Sequence, residues 1–196
     1  RRYRMLALFL IGFLFYNDGI QTVLSQASVF ATKTPELSFK TEELALLILL
    51  IQFAALPGAI LVGFLADRLG QKPVLMSCLA VWVGLLVAAY FVSNKEQFWA
   101  LGGVLALVMG GTQSVSRAIM GHMTPPEHTA EFFGFFNLSG KATSFMGAFL
   151  FGAIFKATGD PRAAIASLLV FFFVGLLLVA LVNVGQGRRE ALEAEG

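Results

Sequence analysis

A single cysteine, Cys78, in a chain of 196 residues excludes a disulfide framework and a thiolate metal cluster. Its place within an apolar run marks it as a small packing residue. Histidine is almost as scarce: His122 and His128 fit no metal-ligand spacing and read as surface-loop residues, so no metal is implied. Charge is thin as well. Only 13% of residues are Asp, Glu, Lys or Arg, and the net charge of +2 is scattered, which excludes a concentrated basic surface for nucleic acid. No stretch resembles a phosphate-binding loop, and no set of nucleophile, base and oxyanion donors can be assembled. An enzyme and a bound cofactor are therefore not expected. The chain opens on Arg1 and Arg2 instead of Met, and its first apolar run is too long for a signal-peptide core, so a longer parent protein is expected.

Hydrophobic residues are abundant, at 57%, and they fall into six runs: Met5 to Ala31, Leu44 to Ala66, Val74 to Val92, Phe98 to His122, Phe132 to Phe155 and Ala163 to Val184. Each has the roughly 20 residues needed to cross about 30 Å of hydrocarbon at 1.5 Å per residue. Inside lipid every backbone N–H and C=O must be satisfied within the element, so runs of this length are helices. The links are short and polar: Lys33 to Glu43, Asp67 to Pro73, Ser93 to Gln97, Met123 to Glu131 and Lys156 to Arg162. The side holding both termini, Asp67 to Pro73 and Met123 to Glu131 carries seven Lys and Arg, against five on the other, a small bias toward cytoplasmic termini. Tyr3, Tyr90 and Trp99 fall at membrane boundaries, where an amphipathic ring is at ease.

The chain also echoes itself. Gly19-Ile20-Gln21-Thr22-Val23 returns 92 residues later as Gly111-Thr112-Gln113-Ser114-Val115. Gly58-Ala59, Leu61, Gly63 and Gly70 return 89 residues later as Gly147-Ala148, Leu150, Gly152 and Gly159. Three helices per copy is an odd number, so the second copy enters the membrane from the opposite side. The expected fold is all-α: one transmembrane domain over 1–196, six helices as two inverted three-helix repeats (1–93 and 94–185), then a cytoplasmic tail, 186–196. The Ala59-xxx-Gly63 and Ala148-xxx-Gly152 patterns let helix backbones approach closely. Pro57 removes a backbone hydrogen bond and is expected to kink helix two near Phe53.

Polar side chains within the hydrocarbon are costly and normally face a wet interior. Helix one carries Asn17, Asp18, Gln21 and Ser25, helix four Gln113, Ser116 and Arg117, and helix five Asn137, Lys141 and Ser144. Helices three and six carry no ionisable residue in their spans and are assigned to the lipid-facing periphery. Asp18 is either a proton-coupling carboxylate, poised by partial dryness and a nearby cation, or a structural residue bonded to a neighbouring helix. Asn17-Asp18-Gly19 is a candidate helix interruption. Lys141 is expected to pair with Asp18 or to meet an anionic group of a solute. For Arg117 there are two readings, a snorkelling side chain and a partner of Glu131 or Glu127. The run Phe132-Phe133-Gly134-Phe135-Phe136 reads as packing or as an aromatic constriction, and Asn137-Leu138-Ser139 is too deep to be a glycosylation site.

Gly63-Phe64-Leu65-Ala66-Asp67-Arg68-Leu69-Gly70-Gln71-Lys72-Pro73 resembles the signature cytoplasmic loop of the major facilitator superfamily. That resemblance implies a network of Asp67, Arg68 and Lys72 that stabilises one access state, with Gly63 and Gly70 allowing close contact and a sharp turn. Gln71 stands where the family has a further basic residue, so that arm of the network is not implied. Tyr16 to Val23, together with Phe133 to Lys141, resembles the bacterial branch related to the autophagy-linked vacuolar amino-acid effluxers. What this kinship implies is the C-terminal half of a twelve-helix secondary transporter, moving a small solute such as an amino acid by alternating access in the bacterial inner membrane. Its expected partners are the bilayer, the solute and the N-terminal six-helix half, with protons a candidate coupling partner. Asn17, Asp18, Gln21, Gln113, Arg117, Asn137 and Lys141 are the candidate solute- or ion-binding residues. Two rival readings are a six-helix half-transporter acting as a homodimer and a non-transporting scaffold or sensor of the same fold.

Overall fold

The computed structural model describes residues 3–142 and 145–193; of residues 139–142 it describes the backbone alone. Among the described residues every regular element is helical: α1 Arg4–Lys33, α2 Thr41–Leu69, α3 Gln71–Phe91, α4 Lys95–Met123, α5 Thr129–Ala142, α6 Met146–Thr158, α7 Pro161–Ser167, α8 Leu169–Leu181 and α9 Val184–Leu192, with a single 3-10 turn, Pro126–His128, ahead of α5. Helices α1 to α4, and α7 with α8 taken as one span from Pro161 to Leu181, are long and apolar enough to cross a membrane. The chain is an all-α, multi-pass membrane protein. Its fifth apolar run is divided: α5 ends at Ala142 and α6 begins at Met146, leaving α6 a shorter apolar helix of 13 residues.

Helix ends follow local chemistry. Only Gly70 separates α2 from α3, and its φ of +94° is open to glycine and strained for other residues. Side-chain oxygens of Asn94, Asp160 and Asn183 accept the backbone N–H of Gln97, Arg162 and Gln186, capping α4, α7 and α9. Beyond α8 the chain does not trail off as a tail. Residues 184–192 form a helix whose Gly187 sits against Met123 and Met5, and Glu190 accepts the N–H of Met5 at 3.1 Å. Both described termini, the Gly70 turn and the α4–α5 link therefore share one end of the bundle. At the opposite end Lys95 pairs with Glu43 at 2.7 Å, and Arg162 binds Glu36 at 3.2 Å and the Tyr90 carbonyl at 2.5 Å.

Two long pairings build the core. Helix α2 lies along α4, with Gly58 pressed on the backbone of Leu107 and Gly110 on the carbonyl of Ala55. Helix α1 lies along α8, where Gly12 meets Leu178, Gly19 meets Phe172 and Gly175 meets Tyr16. Small residues at such crossings are what helix association in lipid relies on. Between the pairs runs α3, whose Trp82 stacks on Phe172 with centroids 5.4 Å apart and donates its indole N–H to Thr112 Oγ1 at 3.2 Å.

Trp82 and Leu79 of α3 and Phe172 of α8 are buried on the inner faces of those helices, while Phe91 and Leu181 on the same two helices are exposed, as is Phe53 of α2. Helix α2 runs through Pro57 as one element, and α1 runs unbroken through Asn17-Asp18-Gly19, so the helix interruption expected in α1 does not occur.

Gly110→Ala is expected to force α2 away from α4 and to destabilise the full-length protein by about 2 kcal/mol, in the range of overpacked cores. Gly103, on the same helix, has nothing within 4 Å of a built Cβ. Gly103→Ala should therefore leave stability unchanged or raise it by about 0.5–1 kcal/mol through helix propensity. Thermal unfolding in detergent compares the two.

Candidate functional site

Successive residues of a helix are turned about 100° from one another, so neighbours in the sequence serve different faces. On α1 the residues Phe13, Asn17 and Gln21, four apart, form one stripe and Asp18 with Thr22 forms the next. The first stripe meets Gln113 and Arg117 of α4 and Phe136 and Asn137 of α5 around a polar pocket of about 150 Å³. Phe13 and Phe136 stack with centroids 4.0 Å apart and close one side. Five candidate residues from the sequence, Asn17, Gln21, Gln113, Arg117 and Asn137, are thus brought to one place from three helices.

Asp18 is not among them. Its side chain is 0% exposed and turns to α6, where Oδ2 accepts the backbone N–H of Gly147 at 2.7 Å. A Cβ on Gly147 would overlap Thr22 Oγ1 and lie 3.2 Å from Asp18 Oδ2, so only glycine permits this approach. Asp18 Oδ1 and Thr22 Oγ1 have no hydrogen-bond partner among the described residues. Lys141 belongs to α5 by its backbone, but its side chain, and so its pairing with Asp18, lies outside the described residues, as does Ser144.

Arg117 makes no ion pair or hydrogen bond with the described residues, and it borders the polar pocket. Pairing with Glu131 or Glu127 is not seen; Glu131 meets His128 at 3.3 Å instead. The aromatic run divides by face, with Phe136 buried in the pocket wall, Phe132 edge-on to Tyr3, and Phe135 exposed.

Behind the pocket a second polar layer ties the helices together. Ser116 donates to the Thr112 carbonyl at 2.6 Å, so the 2.7 Å contact between Tyr16 and Ser116 is a bond donated by the tyrosine. Thr112 in turn donates to the Val108 carbonyl at 2.7 Å while receiving Trp82. Sequence reasoning noted Ser116 but missed this layer, and read Gly147 as a packing residue only. The signal for Gly147 was its echo of Gly58, which marked a helix crossing without naming the carboxylate there. In the signature loop Lys72 donates to the carbonyls of Ala180 and Val182, both at 2.7 Å, and so caps the C-terminus of α8. Arg68 lies 4.2 Å over the ring of Phe64, and Asp67 forms no ion pair among the described residues. Within the described residues Arg68 and Lys72 thus make separate contacts.

Residues 1–192 match the family described as vacuole effluxer Atg22 like. The chain belongs to the Atg22-like family. Among its relatives it is 33% identical to the Bacillus subtilis MFS-type transporter YxiO over 93% of this chain and 42% of that protein. It is 29% identical to autophagy-related protein 22-1 of Penicillium rubens over 98% of this chain and 34% of the relative. With autophagy-related protein 22 of Cryptococcus neoformans the identity is 30%, over 96% and 35% respectively. The chain spans between about a third and two-fifths of the length of these Atg22-like and MFS-type relatives.

Asp18→Asn keeps an oxygen for the Gly147 N–H, and Asp18→Ala leaves that amide bare in a dry site. The alanine variant is expected to be less stable than the asparagine variant by about 1–3 kcal/mol, the cost of an unsatisfied buried group, and so to unfold at a lower temperature. Gly147→Ala should lower it as well, through overlap with Thr22. Thermal unfolding of the three full-length variants in one detergent tests the order.

Proposed function

We propose that this chain is the C-terminal half of a secondary active transporter of the major facilitator type, and that its polar pocket forms one wall of the solute path. The convergence of Asn17, Gln21, Gln113, Arg117 and Asn137 carries this reading, because polar groups from three apolar helices gather where a solute, not lipid, would meet them. Amides that donate and accept, beside one guanidinium, suit a small solute with a carboxylate. Amino acids are the candidate, by kinship with the vacuolar effluxers. Lys141, four residues after Asn137 on α5, is proposed as a further contact for an anionic group.

The inverted repeat has support of its own. Gln21 and Gln113 hold equivalent positions in the two copies and border the same pocket. Gly58 of the first copy presses on α4, and its counterpart Gly147 presses on α1, so matching glycines sit at matching crossings. An internal two-fold of this kind permits two access states of one scaffold. The N-terminal six-helix half would cover the exposed face of α2 and complete the path. The end holding the termini and the Gly70 turn carries more Lys and Arg, so it is assigned to the cytoplasm, in the inner membrane of a bacterium. Asp18, sealed against α6, is read as a structural acceptor first; protons remain a proposed coupling ion.

The test is transport by the full-length protein in liposomes, with the solute chosen by a thermal-shift panel of amino acids and other small solutes. Gln113→Ala and Asn137→Ala are each expected to slow initial uptake or efflux about tenfold, the effect of roughly 1.4 kcal/mol, with the thermal midpoint unchanged. Full rates in both variants would remove the pocket from the path. Residues 1–196 alone should move no solute in the same assay.

A further inference from the structure

A second, larger cavity, of about 440 Å³, lies in the half of the bundle away from the termini, between α1, α2, α3, α4 and Ile165 of α7. Its size falls within the range of small-molecule sites. Among the described residues its lining holds no charged side chain. The inner wall is apolar and in part aromatic, with Trp82, Leu86, Phe98 and Leu105, and the indole N–H of Trp82 is already spent on Thr112, so that ring offers only its faces. The described polar groups of the lining are Gln21, Ser25 and Ser28, a single stripe of α1, and Gln52 of α2. The amides of Gln21 and Gln52 make no hydrogen bond with the described residues, although both are hydrogen-bonding groups inside the membrane span.

Protein interiors are close-packed, and an apolar void of this size does not hold water well. An acyl chain is disfavoured as its occupant, because entry from lipid would place exposed Ser25 and Gln52 against hydrocarbon. Entry from the polar side fits better: Gln21 borders both cavities, so the apolar one adjoins the polar pocket. We propose that the apolar cavity is a separate binding site for uncharged, amphipathic small molecules bulkier than a single amino-acid side chain. The apolar body lies against Trp82, Phe98 and Leu105, and a hydrogen-bonding end stays at Gln21 and Gln52. A charged group has no counter-ion in this cavity and is excluded from it. The inference stands on the cavity and does not require solute movement.

N-acetyl-L-tryptophanamide, uncharged and of suitable shape, is the probe. Added to the full-length protein in detergent, it should raise the thermal midpoint saturably, by a few degrees at about a hundred times its Kd. Ala27→Phe and Leu105→Trp fill the cavity and should weaken that response at least tenfold without lowering the midpoint of the ligand-free protein. Gln113→Ala, in the polar pocket, should leave the response intact. No saturable shift in the unmodified protein, or an equal shift in both filled variants, would overturn the proposal. So would native mass spectrometry showing a phospholipid retained by the unmodified protein and lost from Ala27→Phe. If one filled variant fails to fold, the other carries the test. Because binding is read without transport, a silent liposome assay and a silent thermal shift refute different claims.

Discussion

A helix that starts inside a membrane presents backbone N–H groups with no water to receive them, and an unsatisfied group there costs several kcal/mol. Helix α6 starts in this way, at Met146, and the amide of Gly147 is received by Asp18 of α1. A carboxylate suits the positive end of a helix dipole better than a neutral acceptor does. The contact explains several features at once. It requires glycine at 147, brings α6 against α1 at Thr22, and gives the carboxylate a donor away from water. It also sets the rotation of α1: with Asp18 and Thr22 turned to α6, the stripe of Phe13, Asn17 and Gln21 turns to α4 and α5.

The two cavities follow from that rotation. Gln21 borders both, and what distinguishes them is the company each keeps: amides and a guanidinium on one side, aromatic and aliphatic side chains on the other. Behind them Tyr16, Ser116, Thr112 and Trp82 join α1, α3 and α4 by hydrogen bonds in which the hydroxyls return to carbonyls of their own helix. These four side chains are thus satisfied by protein, whereas Gln21, Gln113 and Arg117 make no hydrogen bond with the described residues and border the pockets. The division separates groups that hold the bundle from groups positioned to meet a ligand. The proposed transport role would give that division a use, since a transporter needs a rigid scaffold and a wet surface in the same few helices.

Much of this was legible in the residues. Apolar runs of about 20 residues are helices in lipid because the backbone has no other way to satisfy itself, and five of the six spans emerged with ends shifted by a few residues. The gathering of Asn17, Gln21, Gln113, Arg117 and Asn137 was legible for a related reason, as isolated polar residues in apolar helices have few places to go. Asp18 met the same rule and was read with them. Its true neighbour is a backbone amide, and a backbone amide has no letter in a sequence. The start of a separate helix at Met146 was hidden likewise, since Phe132 to Phe155 contains no proline to mark it.

From the order of its residues alone come an all-helical membrane protein, the positions of its spans and the polar side chains that must avoid lipid, because each follows from the chain's own preference between water and hydrocarbon. Tertiary structure decided the rest. It turned Asp18 away from the pocket, stacked Trp82 of α3 on Phe172 of α8, set Lys72 on the end of α8, and left an apolar cavity beside a polar one. Those outcomes depend on which helix lies beside which. In a medium as apolar as the helices themselves, hydrophobicity does not choose between neighbours, and close glycine contacts and a few hydrogen bonds do.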